Sequence, residues 1–291
     1  MFVRRNRTHV ELIGMAPHDH IGWVYSGSDQ FAALARTFLA DGARKGERLI
    51  YVAEDPDRDG PGALDDLIDA GVLQVASVEE IYGPSGVVDA VRQRATFAEA
   101  LAQARADGYT GIRVAADNTP LLDGERRFQA WLRWELVADR FMSENPVTGL
   151  CAFDRDRVDI DRLRHTATLH PLLSSTSPVP QFRLFADDGT LYAEGDLDTS
   201  AVHRIAWALP HLPSGTGVVI DLEVTTFLSN AAVLALRRIA QTGIDVTIRG
   251  TASAVRTVQL DQLISPAEPG PGGMAAFADH ASDDGPSMDG A

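Results

Sequence analysis

The sequence predicts an α/β protein, with a mostly parallel sheet carrying helices on both faces and a smaller α/β domain after it. Three observations predict this. From residue 20 to 171, short apolar runs alternate with amphipathic helical stretches, the pattern of a parallel sheet covered on both sides. Residues 172–180 (LLSSTSPVP) then lose all periodicity and gather Ser, Thr and Pro, which marks a linker. Beyond them a hairpin pattern, a helix and two strand–helix units form a second, shorter α/β stretch.

The elements follow in order. His20–Tyr25 reads as a strand and Ser26-Gly27-Ser28 as a turn. Asp29–Gly42 reads as a helix with Phe31, Leu34, Phe38 and Leu39 on one face. Arg48–Ala53 is a buried strand, Ala63–Ala70 a short helix and Val72–Ala76 a strand. Val87–Ala106 is a long helix ended by Gly108. Thr110–Ala116 is a strand, Gly124–Met142 a helix, Thr148–Phe153 a strand and Asp159–Leu169 the closing helix. In the second part, Gln181–Asp187 and Thr190–Gly195 flank the turn dipeptide Asp188-Gly189. Helix Thr199–Leu212, strand Val218–Ile220, a helix opened by Ser229-Asn230, strand Asp245–Arg249 and helix Ala252–Leu260 follow.

These elements divide the chain into an N-terminal extension (1–16), a first domain (17–171), the linker (172–180), a second domain (181–264) and a tail (265–291). The tail is rich in Pro, Gly and acidic residues and is expected to be disordered. The 291 residues suffice for two domains that each bury a core, and 45% hydrophobic with 23% charged residues is a globular composition. No apolar run approaches the length of a membrane span. A lone cysteine, Cys151, excludes an intramolecular disulfide. Cytoplasmic residence is the simplest reading.

Charge and lysine content bear on function. A formal charge of -15 opposes nucleic-acid binding, which needs a basic face to release counterions. Arg4-Arg5-Arg7 and Arg237-Arg238 read as a solvated terminus and a solvated helix face. The single lysine, Lys45, sits past the far end of the first helix, whereas a phosphate-cradling loop needs Lys directly after its Gly-rich turn. No Gly-x-Ser-x-Gly elbow is present, and no catalytic constellation emerges. The expectation is a non-enzymatic protein that needs no cofactor. His18, His20 and Cys151 are soft-metal donor types, but no close ligand spacing supports a site, so no metal is expected.

Five separated stretches resemble the MEDS domain, the sensory module of DcmR-like bacterial regulators. Asp19-His20-Ile21-Gly22-Trp23-Val24-Tyr25 resembles its opening His-Ile-Cys-x-x-Tyr strand, with Gly22 at the family's Cys position. Gly108-Tyr109-Thr110-Gly111-Ile112-Arg113-Val114-Ala115-Ala116-Asp117 resembles its Gly-Tyr-x-Gly-Leu-Arg-x-x-x-Asp strand. Trp134-Glu135 resembles its Tyr-Glu pair, Leu150-Cys151-Ala152-Phe153-Asp154 its Leu-Cys-x-Tyr-Asp strand, and His170-Pro171 its closing His-Pro. The resemblance implies a degenerate RecA-like fold that senses a small, hydrocarbon-like organic molecule.

The candidate ligand-binding residues are His20, Tyr25, Ser28, Arg113, Asp117, Glu135, Cys151 and Asp154. In open α/β sheets ligands sit at the carboxyl ends of strands. Tyr25, Ser28, Asp117 and Asp154 are expected to line that rim, with Glu135 reaching in from a helix. An Arg within a buried strand is costly unless paired, and an Arg113–Glu135 ion pair is the structural alternative to ligand contact. His20 and Cys151 also read as satisfied core residues.

Residues 217–240 (GVVIDLEVTTFLSNAAVLALRRIA) resemble the core signature of a STAS domain, the fold of anti-sigma-factor antagonists. Glu194–Asp198 and Ala254–Leu260 resemble further elements of that family. The family's phospho-acceptor Ser falls on Asn230 and its preceding Asp on Ser229. The resemblance implies docking to an anti-sigma factor or an ATPase-fold serine kinase through Asp221, Thr225, Thr226, Ser229 and Asn230. Helix N-capping is the alternative for Ser229 and Asn230, and a strand-end turn for Asp221. Phe227 and Leu228 read as core. Two other functions are weighed: a divergent RecA-like nucleotide-binding enzyme, opposed by the missing Lys, and a ligand-free scaffold.

Overall fold

Alternation of side chains along parallel strands decides where every buried group in the larger unit lies. The computed structural model describes residues 7–8, 10–56, 64–187, 190–211, 215–223 and 225–249. Seven strands form the larger sheet: β1 (Arg7–Thr8), β2 (His20–Tyr25), β3 (Arg48–Ala53), β4 (Leu73–Ser77), β5 (Ile112–Asp117), β6 (Val147–Asp154) and β7 (Leu172–Leu173). Their spatial order is β1-β7-β2-β6-β5-β3-β4, and every neighbouring pair is parallel. The expected α/β class, with helices on both faces of a parallel sheet, is what the chain adopts.

Two apolar layers follow from the alternation. Helix α1 (Ser28–Arg44) buries Phe31, Ala35, Phe38 and Leu39, at positions i, i+4, i+7 and i+8, against Ile21, Tyr25, Leu49, Tyr51 and Ala115. Helix α2 (Asp65–Asp69) adds Leu67 to this layer. The opposite face carries α3 (Val78–Tyr82), α4 (Ala90–Ala106), α5 (Gly124–Glu144) and α6 (Ile160–Thr168) over Val24, Ile50, Val52, Ile112, Val114 and Phe153. Each large side chain removed from water here contributes about 1.5–3 kcal/mol.

Several boundaries differ from expectation for identifiable reasons. Helix α4 starts at Ala90, not Val87, because the Asp89 side chain accepts hydrogen bonds from the backbone of Val91 and Arg92. The short helix α3 has no apolar period to announce it, but a Ser77–Glu80 capping box starts it. The N-terminal extension is part of the fold: β1 pairs with β7, and Leu12 and Met15 are buried. The segment expected as a linker is built in at its start. Leu172 and Leu173 form β7, Ser174 N–H donates to Gly22 O at 3.2 Å, and the Ser177 and Thr176 hydroxyls donate to Gly22 O and Val24 O. Hydroxyl side chains here continue the ladder along β2, so Ser and Thr mark an edge and not a tether.

The second unit is a four-stranded mixed sheet of order β11-β10-β9-β8, made of β8 (Phe182–Asp187), β9 (Thr190–Gly195), β10 (Gly217–Asp221) and β11 (Val246–Arg249). β8 and β9 are antiparallel and the other pairs parallel. Helices α7 (Thr199–Ala208) and α8 (Asn230–Gln241) pack on it. Phe182 and Leu184 join one continuous core with Trp131 and Leu132 of α5, and Arg204 donates to Thr168 Oγ1 at 2.9 Å. The turn Asp188-Gly189, the helix expected over Ala252–Leu260 and the tail lie outside the described residues. Among the described residues, no helix is long and apolar enough to cross a membrane.

Two packing expectations are corrected. Phe227 is 53% exposed rather than buried, because Asp196 Oδ1 accepts hydrogen bonds from the backbone of both Thr226 and Phe227 and turns the side chain outward. Leu228, bridged to Leu197, packs against the core instead. The Arg113–Glu135 ion pair does not form. Arg113 shares the α1 face with Ala115, whereas α5 carries Glu135 on the opposite face. The guanidinium pairs with Glu47 (Nε–Oε2 2.5 Å) and Asp41 (Nη1–Oδ2 3.2 Å). It also donates to the carbonyls of Phe38 and Met15.

Arg113 is fully buried, as is Glu47, so removing the cation strands a carboxylate. Arg113→Met should cost about 3–5 kcal/mol in urea unfolding, part of it recovered by adding Glu47→Gln. An unchanged unfolding midpoint for Arg113→Met would show that the pair carries no stability.

Candidate functional site

Four side chains from distant parts of the chain converge on the α5 face of the sheet. His20 opens β2, Cys151 lies mid-way along β6 opposite Gly22, Glu135 projects from α5, and His170 follows α6. Glu135 Oε1 lies 2.8 Å from His20 Nε2 and 3.0 Å from His170 Nε2. Cys151 Sγ lies 3.4 Å from His20 Nε2 and 3.5 Å from Glu135 Oε1. One donor atom from each of the four falls within 4.8 Å of all the others, so this cluster could hold a metal.

Both imidazoles are oriented from behind. His20 Nδ1 lies 2.9 Å from Asp139 Oδ1, and His170 Nδ1 lies 2.7 Å from Thr166 O. Those partners accept only, so each Nδ1 carries a proton and each Nε2 points inward. Gly22 makes room for this: a Cβ there would stand 2.9 Å from His170 Cγ. The glycine thus gives its space to the second histidine.

Burial dominates the electrostatics but does not win. It favours a neutral His20, yet the electrostatic influence of Cys151 and Glu135 and the bond to Asp139 outweigh it and lift the imidazole well above its ordinary pKa. For His170, burial and the His20 charge pull downward, while contacts with Cys151 and Glu135 bring the net value up to about 9. Burial pushes Glu135 upward, but the two imidazoles hold its carboxyl far below the usual range.

A cavity of ≈ 40 Å³ adjoins the cluster, between the sheet and α3, α4 and α5. Tyr82, Phe97, Trp134 and Phe141 form its aromatic walls, and Glu135 and Cys151 form its polar end. Phe97 and Trp134 stack at 5.7 Å, which stiffens one wall. The space suits a molecule of about three non-hydrogen atoms.

Four other candidate residues lie at the carboxyl ends of the strands or directly after them. Tyr25, Asp117 and Asp154 end β2, β5 and β6, and Ser28 begins α1. Thr119 N–H donates to Asp117 Oδ1 at 3.0 Å, Asp154 N–H donates to Thr119 Oγ1 at 2.9 Å, and Tyr25 is hydrogen-bonded to Asp117. Burial raises Asp117 to about 6, against the hydrogen bonds from Thr119 and Tyr25 and the charge of Arg157. The preceding turn has Gly27 at φ +77°, and Lys45 is at the far end of α1, with Nζ 2.7 Å from Asp41.

The eight candidate residues therefore separate into three places: His20, Glu135 and Cys151 in the cluster; Tyr25, Ser28, Asp117 and Asp154 at the rim; Arg113 in its own ion pair. His18 precedes β2 at φ +77° with Nδ1 near Met142 O, outside the cluster. The candidate site lacked His170, Asp139 and the cavity wall Tyr82. Asp139 lies one helical turn from Glu135, a spacing that places both on one face.

In the second unit, Ser229 caps α8 by accepting from Ala232 N–H at 3.0 Å, and Asn230 is the exposed first residue of that helix. Asp221 Oδ1 accepts from Glu223 N–H. The Thr225 hydroxyl donates to Gly195 O and that of Thr226 to Asp196 Oδ1.

Asp117 predicts a pH dependence. Its folded pKa of about 6 exceeds the ordinary value of 3.8, so its contribution is fully present below about pH 4 and lost as pH rises through about 6. Asp117→Asn should leave stability at pH 4 unchanged and raise it at pH 8 by up to roughly 2–3 kcal/mol. Parallel unfolding curves at both values for the two proteins would show that Asp117 ionises without penalty.

Comparison with known protein families matches residues 19–171 to MEDS, described as the MEthanogen/methylotroph, DcmR Sensory domain. No curated protein matches the chain. The match runs from Asp19, just before the first cluster histidine, to Pro171, just after the last, and encloses all four cluster residues and the cavity. The chain belongs to the MEDS family of sensory domains.

Proposed function

We propose that the chain is a non-enzymatic regulator whose first unit senses a small, largely apolar organic molecule. The cavity beside Glu135 and Cys151 carries this reading. Its volume limits the ligand to a few atoms, its aromatic walls favour an apolar body, and its polar end offers a partner for a single heteroatom. A route to the second unit supports the reading. Asp139 bonds His20 Nδ1 through Oδ1 and accepts from Ala186 N–H of β8 through Oδ2, at 2.5 Å. A ligand that shifts His20 would move one carboxylate shared with the edge strand of the second sheet.

The test is thermal denaturation with short alcohols, ketones, thiols and alkyl halides. At least one series should stabilise the chain saturably, reaching about 2.7 kcal/mol at a hundredfold excess over Kd. Ala138→Leu, which extends a side chain into the cavity, should abolish the effect while the protein stays folded. Stabilisation that survives Ala138→Leu would place the ligand elsewhere.

For the second unit, the proposal is docking to an anti-sigma factor or ATPase-fold serine kinase through a STAS-like surface at Asp221, Thr225, Thr226, Ser229 and Asn230. Support comes from the strand–turn–helix sequence around Asp221-Leu222 and from the exposed Phe227 beside the α8 N-terminus. Asn230 at the acceptor position cannot form a phosphate ester, so ligand occupancy replaces phosphorylation there as the control. Asn230→Asp should weaken binding of a captured partner by roughly 1–3 kcal/mol. Equal affinities of the two proteins in titration would show that this loop is not the docking centre.

A further inference from the structure

We infer that His20, Glu135, Cys151 and His170 form a tetrahedral site for one divalent first-row transition ion, of which Zn(II) fits the donor set best. The inference shares Glu135 and Cys151 with the sensing proposal but is tested separately from it, because its readout is metal uptake and not the occupant of the cavity.

The donor chemistry selects the ion. Two imidazole nitrogens, a thiol sulfur and one carboxylate oxygen suit a borderline-soft cation, whereas Mg(II) and Ca(II) need shells built almost wholly of oxygen. The spacing agrees. Ligand atoms about 2.0–2.3 Å from a tetrahedral metal stand roughly 3.4–3.7 Å from one another. Here His20 Nε2–Sγ is 3.4 Å and Sγ–Glu135 Oε1 is 3.5 Å. The two nitrogen–oxygen separations, 2.8 and 3.0 Å, need to widen by roughly half an ångström, and the widest separations in the set, which reach up to 4.8 Å, need to close around the ion.

A second, independent observation points inward. His170 Nε2 and Glu135 Oε2 are buried polar atoms with no hydrogen-bond partner among the described residues. The 3.0 Å approach of Nε2 to Glu135 Oε1 lacks hydrogen-bond geometry. Such orphaned atoms are costly inside a protein, and coordination would satisfy His170 Nε2 directly. Charge also closes: one thiolate and one carboxylate neutralise a divalent ion, and the imidazoles bind as neutral ligands after releasing their Nε2 protons. The surroundings are those of a metal site, with the His20 and His170 Nδ1–H groups held by Asp139 and Thr166.

The test is titration of the untagged, metal-stripped full chain with Co(II) and Zn(II) under reducing conditions. One equivalent should bind. Co(II) should give intense visible bands of tetrahedral geometry and a thiolate-to-cobalt charge-transfer band in the near ultraviolet. Cys151→Ser, close in size to the native residue, should lose the charge-transfer band. His170→Gln should weaken uptake, and Asp139→Asn should weaken it by about 10- to 100-fold. The exposed His203→Gln should leave uptake unchanged. Circular dichroism establishes that each variant is folded. Failure of the folded native chain to take up either ion stoichiometrically overturns the inference. Uptake that Cys151→Ser and His170→Gln leave unaltered overturns it equally.

Discussion

A carboxylate with no access to water is the constraint around which the first unit is arranged. Glu135 is completely buried, and an unpaired charge there would cost several kcal/mol. Two imidazoles brought from opposite ends of the domain answer that cost. His20 must begin its strand on the α5 face, β6 must lie beside it to present Cys151, and the chain must return after α6 to deliver His170. Each requirement fixes a neighbour in the sheet. The strand order β7-β2-β6 is therefore also the arrangement that holds one buried anion neutralised.

The period of two along a strand separates this cluster from the other buried charges. His20, Gly22, Cys151 and Phe153 face α5, while Arg113, Ala115, Asp117 and Asp154 face α1 or end on that side. Arg113 solves the same problem with the same logic on the other face, using Glu47 and Asp41. The sheet lies between the two networks, and their ion pairs share no residue. The cluster is instead hydrogen-bonded to the second unit, through the two oxygens of Asp139.

The architecture was legible because its signals are local. β2 and β3 were read to the residue, and most helices to within a few, since apolar period and caps report on adjacent positions. What stayed hidden depends on side chains meeting across the fold. The partner of Arg113 could not be told from composition, because both Glu47 and Glu135 lie far from it in sequence and the choice depends on the face. His170 stands in a His-Pro pair, but nothing near it in the chain announces that it meets His20 and Cys151. The Ser/Thr-rich start of the 172–180 stretch reads as a tether because its hydroxyls serve β2 carbonyls remote in sequence. Phe227 misled for a similar reason: an apolar residue in a strand–helix link is ordinarily core, and only the position of Asp196 turns it out.

The position of β7 has a consequence for how the domain is made. It lies between β1 and β2, and beyond it Ser177 bonds to Gly22 across 155 residues of sequence. β7 is synthesised after both β2 and β6, so this side of the sheet is the last to be completed as the chain emerges. During synthesis, β2 can pair with β6 yet must wait for Leu173 before its other edge is covered. That open edge is a template for association with other chains. A fragment trimmed to the family match, residues 19–171, would keep all four cluster residues but lose both β1 and β7. It would carry permanently the exposed edge that the full chain shows only while folding.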